Sequence, residues 1–112
     1  MTGKVVVFST CETEEEARKL ARHLVEARVA ACVNIVPGIR SVYQWQGKVE
    51  EAAEFLLIIK SSRPLFERLR EELTRMHSYT VPEVVALSIV DGYPAYLDWM
   101  DRELGLRPST SA

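Results

Sequence analysis

Apolar and polar positions recur with two distinct periods along this chain, and together they outline its elements. Val5-Val6-Val7-Phe8 is an unbroken, largely β-branched run, which predicts a strand buried on both faces. Thr13-Glu14-Glu15-Glu16 has the form of a capping box, with Thr13 as N-cap and three acidic residues at the positive end of a helix dipole. Ala17, Leu20, Ala21, Leu24 and Val25 follow at helical spacing and form one buried stripe. Glu14–Arg18 and Glu15–Lys19 are i,i+4 pairs on the opposite side. From Ala30 to Val36 the chain reads as a strand, interrupted by Pro37-Gly38, a pair that marks a bulge or bend. Alternation resumes through Ile39, Ser41, Tyr43 and Trp45; Gln46-Gly47 supplies a two-residue turn, and the return arm runs from Lys48 to Lys60. Each arm of this hairpin is about twice the typical strand of roughly 5–6 residues.

Ser62 and Pro64 signal the second helix, with Ser62 as N-cap, and Leu65, Phe66, Leu69, Leu73 and Met76 mark its buried stripe. That helix is expected to end around His77-Ser78-Tyr79, after which Pro82 favours an extended path. Val84 to Val90 reads as another buried strand, closed by Asp91-Gly92. Pro94 opens a short last helix, with Tyr96, Trp99, Met100 and Leu104 expected to face inward and Gly105 as its C-cap. Residues 1–106 thus form one domain, and 107–112 a polar tail that is expected to fray.

The order β-α-β-β-α-β plus a C-terminal helix predicts an α+β, ferredoxin-like split βαβ sandwich, one antiparallel sheet with two helices on one face. The hairpin is too long for such a sandwich. Its tip is expected to project past outer strands Val5–Phe8 and Val84–Val90, carrying Val42, Tyr43, Trp45 and Val49 into water. Packing against another copy of the chain removes that exposure. A heterologous contact of this kind closes into a ring, so a trimer is expected.

Composition narrows the function classes. Of 112 residues, 47% are hydrophobic and 27% charged, the balance of a globular protein. Fourteen Lys and Arg against sixteen Asp and Glu leave a formal charge of −2, so the basic excess of a nucleic-acid binder is missing. No apolar run approaches the roughly 18 residues of a membrane span. No signal-peptide layout is visible, and the expected compartment is the cytoplasm. The two cysteines, without C-x-x-C spacing, are expected to be thiols.

Chemistry-bearing residues are few. Cys32, between Ala31 and Val33, reads as a small buried hydrophobe. Cys11 lies where the first strand meets the first helix, a place that lowers a thiol pKa; it is the better reactive or ligating candidate, beside a purely structural role. His23 falls among Lys19, Arg22 and Glu26 and reads as solvated surface. His77, followed by Tyr79 and Glu83, suits either a metal or anion corner or a favourable charge at a helix C-terminus. H-x-x-x-H, EF-hand, P-loop and serine–histidine–acid patterns are absent, so an enzyme is not expected. Tyr43, Trp45, Tyr79, Tyr96 and Trp99 read as core or interface aromatics before pocket lining.

The run Ala31-Cys32-Val33-Asn34-Ile35-Val36-Pro37-Gly38-Ile39, with Ser41, Tyr43, Trp45 and Gly47 after it, resembles the signature of the CutA divalent-cation tolerance family. Lys60, His77-x-Tyr79-x-x-Pro82-Glu83, and Gly92, Tyr96 and Trp99 extend the resemblance from residue 4 to about 104. It implies a cytoplasmic homotrimer of ferredoxin-like subunits, similar in assembly to the PII signalling proteins, acting in tolerance of copper and other divalent cations. Two departures stand out. Many members read His-Pro-Tyr-Glu where this chain has His77-Ser78-Tyr79-Thr80, and the thiol and paired histidines of copper-binding members fall on Ser9, Met76 and His77. The implied metal set is therefore His77 and Met76, with Cys11 as the alternative soft donor, and weak binding of copper or another divalent cation is expected. Cys32, Asn34, Tyr43, Trp45, Lys60, Tyr79 and Glu83 are implied to line a ligand or interface cleft. The competing expectation is a PII-like regulatory module that takes a small ligand or a protein partner at subunit clefts.

Overall fold

A computed structural model describes residues 1–108. Residues 109–112, and with them most of the expected polar tail, lie outside the described residues. The chain runs β1 (Lys4–Cys11), α1 (Glu14–Glu26), β2 (Cys32–Trp45), β3 (Lys48–Ser62), a single 3₁₀ turn (Arg63–Leu65), α2 (Phe66–Met76), β4 (Val85–Ser88) and α3 (Pro94–Glu103). The sheet order is β2-β3-β1-β4 with every pairing antiparallel. This is the expected α+β, ferredoxin-like arrangement, with one correction. The strand through Val5–Phe8 is central, not outer, because its partners lie on both sides; the edges are β2 and β4.

α1 and α2 cover one sheet face. Val5, Val7 and Cys11 of β1 and Leu57 and Ile59 of β3 pack there against Ala17, Leu20, Leu24, Leu69 and Leu73. α1 starts as its sequence dictates, since the Thr13 hydroxyl accepts from the Glu16 N–H at 3.1 Å. The second half of the capping box is not closed, because the Glu16 carboxylate accepts instead from Ser78 N–H and Oγ, at 2.8 and 2.9 Å. His23 is half-buried rather than solvated, and its Nε2 meets Glu72 of α2 at 2.5 Å. Ser62 is not a side-chain cap: β3 runs on through it to pair with Lys4, and its hydroxyl donates to the Gly3 carbonyl at 3.1 Å.

α3 corrects a second expectation. Its buried residues are Leu97, Met100 and Asp101, with Leu104 just beyond, spaced 3, 1 and 3 along the helix. Tyr96 and Trp99 lie on the flank, 42% and 37% exposed, with ring centroids 5.4 Å apart. Leu97, Met100 and Leu104 pack with Ala31 in a small second core. Lys4, the first residue of β1, places its ammonium 2.8 Å from the Asp101 carboxylate, with both side chains almost fully enclosed.

The β2–β3 hairpin is as long as its sequence requires. Gln46 and Gly47 have φ of 50° and 81°, the positive pair of a tight two-residue turn. The register shifts between Val36 and Ile39, at Pro37-Gly38, where Gly38 takes φ 75°. β1 ends opposite Phe55, so beyond Glu54 the hairpin pairs only with itself and projects from the sheet. The described body measures 54 × 25 × 23 Å, drawn out by this arm.

Candidate functional site

Strand side chains alternate between faces, and register partners share one. On the face away from α1 and α2 stand Val6 and Phe8 of β1, Leu56 and Ile58 of β3, Val36 of β2, and Val85 and Leu87 of β4. An antiparallel sheet with one solvated face shows mainly polar residues there; here Thr10, Asn34 and Lys60 share the face with apolar residues on all four strands. Leu87 is 54% exposed and Val85 is comparably open. β4 is expected to be buried; in this chain it is an exposed edge strand, because among the described residues β1 alone pairs with it. The hairpin continues the same character, with Val42 64% and Trp45 58% exposed.

A second constellation gathers where the hairpin leaves the sheet. Here β1 ends and the loop after α2 passes over it. The His77 ring lies enclosed in this corner: Nε2 donates to the Thr10 carbonyl at 2.8 Å, and the Tyr79 N–H donates to Nδ1 at 3.0 Å. Glu16 is 3.6 Å from Nδ1, beyond hydrogen-bond reach, and is engaged by Ser78. The Tyr79 hydroxyl donates to Glu54 Oε2 at 2.5 Å, and its ring lies 4.8 Å from that of His77. Burial first, and then the bond to the Glu54 carboxylate, hold the Tyr79 phenol protonated well above its ordinary range.

The implied metal residues His77, Met76 and Cys11 are each engaged in other contacts. Both nitrogens of His77 are committed to backbone groups, so neither presents a free lone pair. Met76 packs against the main core. Ser9 is fully buried, and its hydroxyl is the one enclosed side-chain polar atom among the described residues that lacks a partner; it offers a single neutral, weak donor. Cys11 is the last residue of β1 rather than a loop thiol. It is buried, with its sulfur 3.7 Å from the Thr13 carbonyl. Burial, and next the charges of Glu16 and Glu54, push the Cys11 thiol up from 9.0 to about 11. That is the reverse of the lowering expected at a helix entrance. No group of three or more His, Cys, Asp or Glu among the described residues is arranged to hold a metal ion. Among the described residues of this chain the donors do not fit a copper site.

A consequence can be measured directly. A thiol raised to about 11 carries on the order of a hundredfold less thiolate at pH 8 than one at its ordinary value. Alkylation of Cys11 in the folded protein is expected to be slower than in urea by at least that factor. The linkage has a definite sign. The neutral thiol is favoured by folding, so its contribution is complete below pH 9.0 and is lost as pH rises through about 11. Equal alkylation rates in the native and denatured protein would contradict this placement.

The implied cleft residues do not gather in one place within this chain. Cys32 and Lys60 are register partners on the open face, and the Lys60 ammonium donates to the Asn34 side-chain oxygen. Burial and the neighbouring Cys32 raise the Tyr96 phenol, which places α3 beside this group. Tyr43 and Trp45 stand at the far tip of the hairpin, opposite Glu50 and Lys48. Tyr79 is at the hairpin root, and Glu83 is exposed in the loop before β4. The apolar open face was absent from the implied set, although its signal lay in the unbroken runs Val5–Phe8 and Phe55–Ile59.

Known proteins share this sequence and shape. Residues 5–103 match the family described as CutA1 divalent ion tolerance protein. The divalent-cation tolerance protein CutA of Thermus thermophilus is 51% identical over 100 residues, covering 89% of this chain and 97% of that protein. A chloroplastic CutA protein of Arabidopsis thaliana is 50% identical over 96 residues, covering 86% of this chain; the match spans only 53% of that longer relative. Among solved structures, the Thermus thermophilus divalent cation tolerance protein superposes with a TM-score of 0.85 at 49% identity, over 96% of this chain and 99% of that one. CutA1 of Oryza sativa superposes with a TM-score of 0.88 at 44% identity, over 97% and 100%. The sheet, its hairpin and the loop after α2 are thus those of a known group of proteins, and this chain belongs to the CutA1 divalent ion tolerance family.

Proposed function

We propose that the protein acts in divalent-cation tolerance as a homotrimer, and that subunit association, not a metal site within one subunit, is what its surface is built for. The observation that carries this is the largely apolar second sheet face, continuous with a hairpin that exposes Val42, Tyr43, Trp45 and Val49. A subunit left alone exposes Val85, Leu87 and Trp45 and leaves Phe8 and Ile58 half-buried, an arrangement that soluble monomers avoid. The heterologous pairing of one hairpin with the next subunit's open face closes the ring. Copper association is correspondingly weak and lies outside His77, Met76 and Cys11.

We also propose a cytoplasmic location, supported by two thiols that remain unbridged in the fold. No helix among the described residues is long and apolar enough to cross a membrane. A PII-like regulatory role is the second reading. Cys32, Asn34, Lys60 and Tyr96 favour it, because they form a polar rim at one end of the apolar face, where a neighbouring subunit would close a cleft.

The test is growth of a cation-sensitive bacterial strain, lacking its own member of the family, in graded copper and zinc. The parent chain is expected to restore tolerance, and Val42→Asp with Trp45→Asp to abolish the restoration. Equal rescue by a monomeric variant would remove the assembly from the function. Failure of a correctly assembled parent to rescue would remove the tolerance role.

A further inference from the structure

The corner at the hairpin root disagrees with a cation site, and the same geometry gives His77 another task. With the Tyr79 N–H aimed at Nδ1, the ring proton resides on Nε2 and is donated to Thr10, so one neutral tautomer satisfies both bonds. The imidazole therefore joins the loop after α2 to the end of β1, two segments 67 residues apart in sequence. The next residue but one, Tyr79, reaches from that fixed loop to Glu54. Glu54 is buried and pairs with Ile39, the first pair beyond the bulge, while its neighbour Phe55 is the last residue of β3 that β1 holds. A continuous chain of contacts thus runs from β1 through His77 and Tyr79 to the root of the projecting arm.

Leverage makes that root important. From Ile39 to Trp45 the arm extends roughly 20 Å at about 3.3 Å per residue. A swing of about 10° at the root then moves the tip by about 3 Å, more than a packed interface tolerates. We propose that His77 is a positioning residue: it clamps the loop to β1 so that Tyr79 and Glu54 set the hairpin at the angle required for docking on a neighbouring subunit. Holding a cation is not part of this role. The inference rests on the assembly reading above, but its clamp can be tested separately.

The experiment compares the full chain with His77→Ala, His77→Gln, His77→Asn and Tyr79→Phe. Three quantities are read: Cu(II) affinity by calorimetry, unfolding midpoint, and subunit dissociation constant. Cu(II) affinity is expected to stay within about twofold of the parent throughout, as no donor is lost. His77→Ala is expected to lower the midpoint by roughly 5–10 °C, since two buried backbone groups lose their partner. Gln retains a donor near Nε2 and Asn an acceptor near Nδ1, so each restores part of the loss. Tyr79→Phe leaves both His77 bonds in place and is expected to weaken association about tenfold, through hairpin angle alone.

A tenfold or larger loss of Cu(II) affinity in both His77→Ala and His77→Gln would make His77 a ligand and overturn the inference. An unchanged midpoint in His77→Ala would remove the clamp. Unchanged association in Tyr79→Phe would remove the positioning role. A monomeric parent would sink the assembly reading before any variant is compared, and the midpoints would still decide whether His77 clamps the loop.

Discussion

Asp101→Ala is expected to cost about 3–5 kcal/mol of folding stability, the largest effect of any single substitution considered for this protein. The carboxylate faces the Lys4 ammonium at 2.8 Å, and both side chains are enclosed, so truncation removes this close charge partner from an enclosed ammonium. The pair joins residues 97 apart in sequence and fixes α3 against the start of β1. Losing it exposes the small core of Leu97, Met100 and Leu104. The penalty belongs to the broken pair and not to the absence of charge. Lys4→Met combined with Asp101→Leu is accordingly expected to return to within about 1 kcal/mol of the parent, because a hydrophobic pair of similar volume carries no desolvation cost. Urea unfolding at fixed protein concentration checks both, since the proposed association would contribute to apparent stability. A single variant within about 0.5 kcal/mol of the parent would show that the pair is not the tie described here.

Val42→Asp combined with Trp45→Asp is expected to weaken subunit association by more than about a hundredfold. Each places a carboxylate in a surface that docking dehydrates, and an uncompensated buried charge costs about 3–5 kcal/mol, where 1.4 kcal/mol is tenfold. Leu87→Glu provides an independent probe on the opposite partner of the contact, the exposed edge strand β4. All three positions are exposed in the isolated subunit, so the subunit itself is expected to fold unchanged. Sedimentation across a concentration series reads the dissociation constants. Variants that associate as tightly as the parent would show that neither the hairpin nor β4 takes part.

Much of the subunit was legible from local pattern, and the exceptions share one cause. Thr13 caps α1, Gln46-Gly47 turns the hairpin, and Pro37-Gly38 bulges it, because each outcome depends on residues adjacent in sequence. Strand order, by contrast, depends on pairing between distant segments, and the first strand was misplaced to an edge. In α3 the aromatic rings of Tyr96 and Trp99 drew attention from the narrower stripe Leu97, Met100, Leu104, which matches the helical period as well and fits beneath Ala31. His77 is read as a ligand from its place after the second helix, ahead of Tyr79 and Glu83, and from the resemblance, with a charge at the helix C-terminus as the alternative. Its actual partners, the Thr10 carbonyl and the Tyr79 N–H, are backbone groups that carry no sequence signal. Cys11 likewise sits beside a helix start, yet burial and the nearby carboxylates raise its thiol. The apolar face was visible all along in the unbroken runs of β1 and β3, once the helices are known to cover only one side.

The most direct test of the account is the native mass of the protein purified without chelators or added metals. The proposed homotrimer requires a species three times the 12.7 kDa chain, persisting at micromolar concentration and carrying no stoichiometric copper. A stable species of one chain mass at that concentration would contradict it.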